Sequence, residues 1–212
     1  AGRLDADDLA ATGMRVLTDT RATKINVAEH TLDVLDPTGA PTELSYDALI
    51  VGTGAVSARP PIDGLTGPDA LGPKDGVHLL HSMGDTFAVM KTLTTKDPKT
   101  AIIIGAGYIG LEMAEGLTAR GITVTQIEAL PEVLPTVEPE LGALVHDELV
   151  RNRVDVRTNT LVTAVDRTDT GALTVTTSSD GQTDHLTADL VLVDPERPWQ
   201  VRGARRTCWR RM

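Results

Sequence analysis

The residues best placed to do chemistry are Gly105, Gly107 and Gly110, together with Glu128, which follows the first of them by 23 positions. In the run AIIIGAGYIGLEMAEGLTARGITVTQIE (residues 101–128), four apolar residues lead without polar alternation into the glycines, and an amphipathic segment follows directly. That order is strand, tight turn, helix. Gly105 permits the sharp exit from the strand, Gly107 lets bare backbone approach a pyrophosphate, and Gly110 lets the helix lie close on the sheet. The first N–H groups of the helix, at Tyr108 and Ile109, would then point at the phosphates, where the helix dipole favours negative charge.

The elements that must position these residues follow from the spacing. A helix is expected over Tyr108 to Arg120, burying Ile109, Met113, Ala114 and Leu117, with Gly121 as its left-handed stop. A second parallel strand, Ile122 to Ile127, ends at Glu128. A carboxylate there can accept both ribose hydroxyls of an adenosine and would repel a 2′-phosphate, which favours NAD over NADP. A structural βαβ turn and a merely solvated strand-end carboxylate are the alternatives; the strand before, the helix after and the distance to Glu128 favour dinucleotide binding.

Composition narrows the function classes. The chain has 212 residues, 41% of them apolar, and no run of 18 apolar residues, so neither a membrane span nor a signal segment is expected. A formal net charge of −10 argues against nucleic acid or an anionic membrane as the main partner. One cysteine, Cys208, excludes an intrachain disulfide framework, a CxxC pair and a cysteine-rich zinc site, and fits a cytoplasmic protein. His78 and His81 have no carboxylate cluster beside them and are expected to be packing or surface histidines, so no metal site is assigned.

An internal repeat organises the remainder. VLTDTRATKIN from Val16 resembles VRTNTLVTAVD from Val156, and LSYDALIV from Leu44 resembles LTADLVLV from Leu186. Each copy reads as a small antiparallel meander that closes with a buried strand, with turns at Pro37 to Gly39, Asp169 to Gly171 and Asp180 to Gly181. The second copy also holds the glycine turn and a helix from about Pro139 to Asn152 with Leu141, Leu144, Val145 and Leu149 on one face. The first copy begins at a late helix ending near Leu9 to Gly13, and its own fingerprint would lie upstream of residue 1, as in a piece of something longer. Residues 58–76, rich in proline and glycine, read as a crossing linker, followed by helical spacing from Asp85 to Thr94 through Phe87, Met90, Lys91 and Thr94.

These residues resemble the flavin-dependent pyridine nucleotide–disulfide oxidoreductases, most of all the coenzyme A-disulfide reductase and NADH oxidase branch. The resemblance rests on YDALIVGTGA (residues 46–55), Arg59-Pro60-Pro61, IIIGAGYIGLEMAE (residues 102–115) and IEALPEVLP (residues 127–135). It implies an α/β, Rossmann-like two-dinucleotide fold, with residues 1–85 as the second part of an FAD domain and 86–193 as an NAD(P)H domain of parallel sheet and antiparallel meander. It further implies that Thr53 and Gly54 lie against FAD, that Tyr108 covers the flavin ring, and that Glu112 stands beside the site of hydride transfer. Hydride would pass from NADH to FAD and on to a small disulfide, persulfide or oxygen acceptor, in an intact enzyme that is a homodimer.

Parts of the family pattern are missing. The FAD fingerprint and the redox cysteine would precede Ala1, so no catalytic residue is assigned and the fragment alone is expected to be inactive. Residues 194–212 carry six Arg and two acidic side chains, a net of +4, whereas residues 1–193 carry −14. Where the repeat calls for a glycine turn, the chain reads Asp194-Pro195-Glu196, and the abrupt Arg, Trp and Cys suit a frame-shifted reading of a GC-rich message. A basic arm for an acidic partner is the rival for this tail. A ferredoxin- or rubredoxin-type reductase, or a non-catalytic dinucleotide-binding remnant, are the rivals for the function.

Overall fold

The structure, a computed structural model, describes residues 11–53, 55–56, 59–194 and 200–201, the two short pairs as backbone only. The chain divides into two compact units, residues 1–53 and 54–212.

In the first unit, strands β1 (Arg21–Asn26), β2 (Thr31–Leu35) and β3 (Pro41–Ser45) form an antiparallel sheet in sequential order. The β2–β3 turn is set by Asp36, whose Oδ1 accepts the N–H of Thr38 and of Ala40 and the Thr38 hydroxyl, while Gly39 takes φ +85°. Those bonds to Thr38 and Ala40 hold the Asp36 carboxyl below its ordinary value. The meander expected here is present, but its closing buried strand is not. β3 stops at Ser45, and Ile50 is 93% exposed. The cause is the lack of strand neighbours: among the described residues of this unit no parallel strand flanks Ile50 and Val51. The expected end of a helix near Leu9 to Gly13 is described from Ala11 on, a helical residue followed by a turn with Gly13 at φ +83°; Gly54 and nearly all of the basic tail lie outside the described residues.

The second unit is built on a five-stranded parallel sheet. Its strands are β5 (Val77–Leu79), β6 (Thr100–Ile104), β7 (Thr123–Ile127), β8 (Asp155–Arg157) and β12 (Leu190–Val193), in the order β5-β12-β6-β7-β8. A second, antiparallel sheet contains β9 (Leu161–Arg167), β10 (Leu173–Ser179) and β11 (Gln182–Ala188). Two-residue strands β4 (Ala55–Val56) and β13 (Gln200–Val201) pair antiparallel.

Both faces of the parallel sheet are covered, which is why β6 and β12 read as unbroken apolar runs. Alternate residues point to opposite sides. Ala101, Ile103, Val124, Leu190 and Leu192 pack with Val89, Ala114, Leu117 and Leu149 of the helices α1 (Met83–Lys96), α2 (Tyr108–Thr118) and α3 (Pro139–Arg151). Ile102, Ile127, Val191 and Val193 pack with Val165, Leu173 and Val175 of the antiparallel sheet. The architecture is α/β, helices on one face and a meander on the other.

Local departures from the sequence expectations have physical causes. α1 starts earlier than Asp85 because Ser82 and Asp85 form a reciprocal capping box. It buries Val89 and Thr92 and leaves Phe87 66% exposed. In α3, Pro139 occupies the first turn, Leu149 is buried, and Leu141 and Leu144 face outward because Gly142 is the residue that fits against Val133. Residues 59–76 are more than a linker. Ile62 and Leu65 enter the core, and Gly64, at φ +81°, lies so close to the Val165 carbonyl that no side chain fits. No helix among the described residues is long and apolar enough to cross a membrane.

Candidate dinucleotide site

The expected strand, turn and helix are present. β6 ends at Ile104, the loop carries Gly105 to Gly107, and α2 begins at Tyr108. Helix α2 leads to β7 on one side of β6, while β12 lies on the other side, so the carboxyl ends of β6 and β12 mark the point where the strand order reverses. Crevices at such points are where parallel α/β sheets bind ligands.

Each glycine has a distinct restraint. Gly105 takes φ +101°, and a Cβ on it would stand 2.7 Å from the carbonyl oxygen of Asp194. Gly107 is the N-cap of α2 and has no side chain to cap it, so the first-turn N–H groups have no local acceptor. Gly110 is buried where α2 crosses the sheet, and any side chain there would run into the Gly105 carbonyl oxygen. Gly121 has the left-handed φ of +78° expected of it, and Ile122 N–H closes back on the Leu117 carbonyl.

Tyr108 and Ile109 are 61% and 44% exposed. Ile109 thus does not join the buried face expected of it; Gly110, Ala114 and Leu117 form that face. Glu112 is exposed on the next turn. Glu128 is 6% exposed, at the end of β7, with Oε2 accepting from the Ala106 N–H and Oε1 from the Leu130 N–H, each at 2.9 Å. Gly105, Gly107, Tyr108, Ile109, Gly110 and Glu128 are therefore brought to one end of one sheet. Thr53 is exposed and belongs to the other unit; Gly54 lies outside the described residues.

Three further residues shape the loop. Gln126 is fully buried, and its Nε2 donates to the Gly105 carbonyl at 3.2 Å. A glutamine inside an apolar strand is the signal that could have marked it. Leu134 N–H donates to the Ala106 carbonyl, so the proline-flanked segment after β7 fastens the loop from outside. Asp194 was expected only to break the repeat. It is 9% exposed, its N–H donates to the Ile104 carbonyl, and its Oδ2 accepts the Gly110 N–H at 3.0 Å. Burial pushes its carboxyl above the ordinary value, the Gly110 N–H draws it back, and the Glu128 charge pushes it up further.

His78 is buried, with Nε2 3.0 Å from the Thr92 hydroxyl, and His81 is exposed. Among the described residues no three His, Cys, Asp or Glu side chains are grouped to hold a metal ion. A shallow hollow lined by Leu93, Asp97, Lys99, Arg120 and Ile122 lies at the amino ends of β6 and β7, opposite the glycine loop, and has no part in the site.

The loop presents backbone with only the Ala106 methyl between its two glycines, next to a helix start without a local cap and a buried carboxylate after the second strand, the features by which a glycine turn can receive a diphosphate. No comparable cradle exists among the described residues of 12–53, which form only strands and turns.

The family model for pyridine nucleotide-disulphide oxidoreductases matches residues 5–194. An NADH oxidase from Methanocaldococcus jannaschii is 32% identical over 142 residues, covering 66% of this chain and 30% of that protein. The 5,5′-dehydrodivanillate O-demethylase ferredoxin reductase subunit of a Sphingobium species is 32% identical over 196 residues, 91% of this chain and 44% of that protein. The structure of an NAD-dependent persulfide reductase from A. fulgidus superposes with a TM-score of 0.73 at 31% identity, over 89% of this chain and 33% of that one. The chain spans less than half the length of each of these proteins. On these matches and the glycine loop they contain, the chain belongs to the pyridine nucleotide-disulphide oxidoreductase family.

Proposed function

We propose that residues 86–193, with β5 as an added edge strand, are the NADH-binding domain of a flavoprotein oxidoreductase. Residues 1–85, apart from β5 and the segment 59–76 that packs into this domain's core, are then the second part of its FAD domain, and 194–212 an atypical basic tail. The observation that carries this proposal is the glycine loop at the carboxyl ends of β6 and β12, tied by Ala106 to the Glu128 carboxylate.

In this proposal the Gly105–Gly107 backbone receives the diphosphate, the first-turn N–H groups of α2 face its charge, and Glu128 accepts the ribose hydroxyls. A bound nicotinamide supplies a hydride. The chain's own contribution is to bind and orient it: Tyr108, exposed at the start of α2, borders the flavin side, and Glu112 stands one turn further along. Thr53 and Gly54 belong to the FAD side. No cradle for a flavin exists among the described residues of the first unit. The intact enzyme, a cytoplasmic homodimer in this proposal, would deliver electrons to a disulfide, persulfide or oxygen acceptor.

A ferredoxin-type reductase is the second possibility, favoured by the similarity to the Sphingobium subunit along 91% of this chain. A purified chain titrated with NADH and inspected for flavin absorbance tests the proposal. NADH binding supports the domain assignment, flavin absorbance adds the FAD half, and binding of neither would refute it.

A further inference from the structure

The start of α2 already has an acidic occupant. Its N-cap is a glycine without a side chain, and no acidic residue lies in its first turn, so nothing local neutralises its free N–H groups. Asp194 meets one of them from 84 residues downstream: its Oδ2 accepts the Gly110 N–H at 3.0 Å, and the residue is 9% exposed. Nor does it stand off from the loop. A Cβ placed on Gly105 would be 3.3 Å from the Asp194 Cβ and 2.7 Å from its carbonyl oxygen.

The dinucleotide site therefore holds two carboxylates of different kinds. Glu128 reaches Ala106 from the end of β7, where a ribose would be read. Asp194 reaches Gly110 from the end of β12, at the helix start that a pyrophosphate would use. The strands and first turn around Asp194 carry no basic side chain: β6 reads TAIII, β12 LVLV, and α2 opens Tyr-Ile-Gly. A pyrophosphate entering this loop would meet Asp194 as a like charge.

We propose that Asp194 is an internal anion of the glycine loop, which takes the Gly110 N–H at the α2 N-terminus in the nucleotide-free chain and opposes the pyrophosphate of an incoming dinucleotide, thereby lowering the affinity for NADH. This rests on the dinucleotide-binding proposal above. Asp194 is thus a determinant of nucleotide affinity, acting through charge at the loop.

The test compares the full chain with Asp194→Asn and Asp194→Ala, using NADH, ADP-ribose and adenosine as probes and thermal unfolding to confirm that each variant is folded. Asparagine keeps an oxygen for the Gly110 N–H and removes the charge; alanine removes both. Two like charges a few ångströms apart at a partly buried site repel enough that both variants should bind NADH and ADP-ribose about tenfold more tightly or better. Adenosine, which has the ribose hydroxyls but no phosphate, should bind all three proteins alike. Unchanged or weaker NADH binding by a folded Asn variant would overturn the inference while leaving the dinucleotide site standing. Equal tightening of adenosine would overturn it too, since the effect would then lie in loop shape. Failure of all three proteins to bind NADH would refute the dinucleotide site itself, and this inference with it.

Discussion

The Oε2 atom of Glu128 accepts the backbone N–H of Ala106 at 2.9 Å, across 22 residues of sequence, while its Oε1 accepts that of Leu130. One buried side chain thus joins the turn after β7 to the glycine loop after β6, so the group proposed to bind ribose also holds the loop in shape. Glu128→Gln, whose amide must set its NH2 against one of these two N–H groups, should lower the stability of the ligand-free chain by about 1–3 kcal/mol. Urea unfolding without nucleotide reads this directly; an unchanged midpoint would mean that the two bonds contribute nothing to the loop.

Two glycines of α2 give opposite expectations for the same substitution. At Gly110 a Cβ meets the Gly105 carbonyl oxygen and lies 3.0 Å from Gln126 Nε2, so Gly110→Ala should destabilise by about 1–3 kcal/mol through overpacking. At Gly116 a Cβ meets nothing within 4 Å, and Gly116→Ala should stabilise by about 0.5–1 kcal/mol through helix propensity. Thermal unfolding of the pair separates close packing from backbone propensity.

Burial, aided by the charge of Lys96 and opposed by that of Asp85, holds the His78 imidazole below its ordinary pKa of 6.5. The unfolded chain takes up this proton near 6.5 and the folded chain only at lower pH. The contribution to stability is therefore complete above 6.5 and is lost as pH falls through it. The urea midpoint should drop between about pH 7.5 and pH 5.5 in the native chain and drop less in His78→Gln. An identical pH slope in both proteins would assign the acid sensitivity elsewhere.

The glycine loop, its helix and Glu128 were legible in the sequence because each depends on local rules: a buried strand, a turn that only glycine permits, a helix stop at Gly121. What stayed hidden depends on residues far apart along the chain. The partner of Gly110 is Asp194, 84 positions away, and proline and glycine around residues 58–76 masked Ile62 and Leu65, whose burial comes from contact with β9 and its neighbours. Leu44 to Val51 carries the pattern of a buried strand, yet burial needs flanking strands. LVLV at β12 has them in β5 and β6, and among the described residues Ile50 has none.

The central claim is that the loop from Gly105 to Gly110 binds a dinucleotide whose ribose is held by Glu128. It is tested most directly by the ratio of the NADPH to the NADH dissociation constant, measured by direct titration of the native chain and of Glu128→Ala. The native chain should favour NADH. The alanine variant should lose roughly 1.5–3 kcal/mol of NADH affinity, the value of charge-assisted hydrogen bonds, and most of its discrimination against NADPH. A native chain that prefers NADPH, or an alanine variant with both affinities unchanged, would contradict the account.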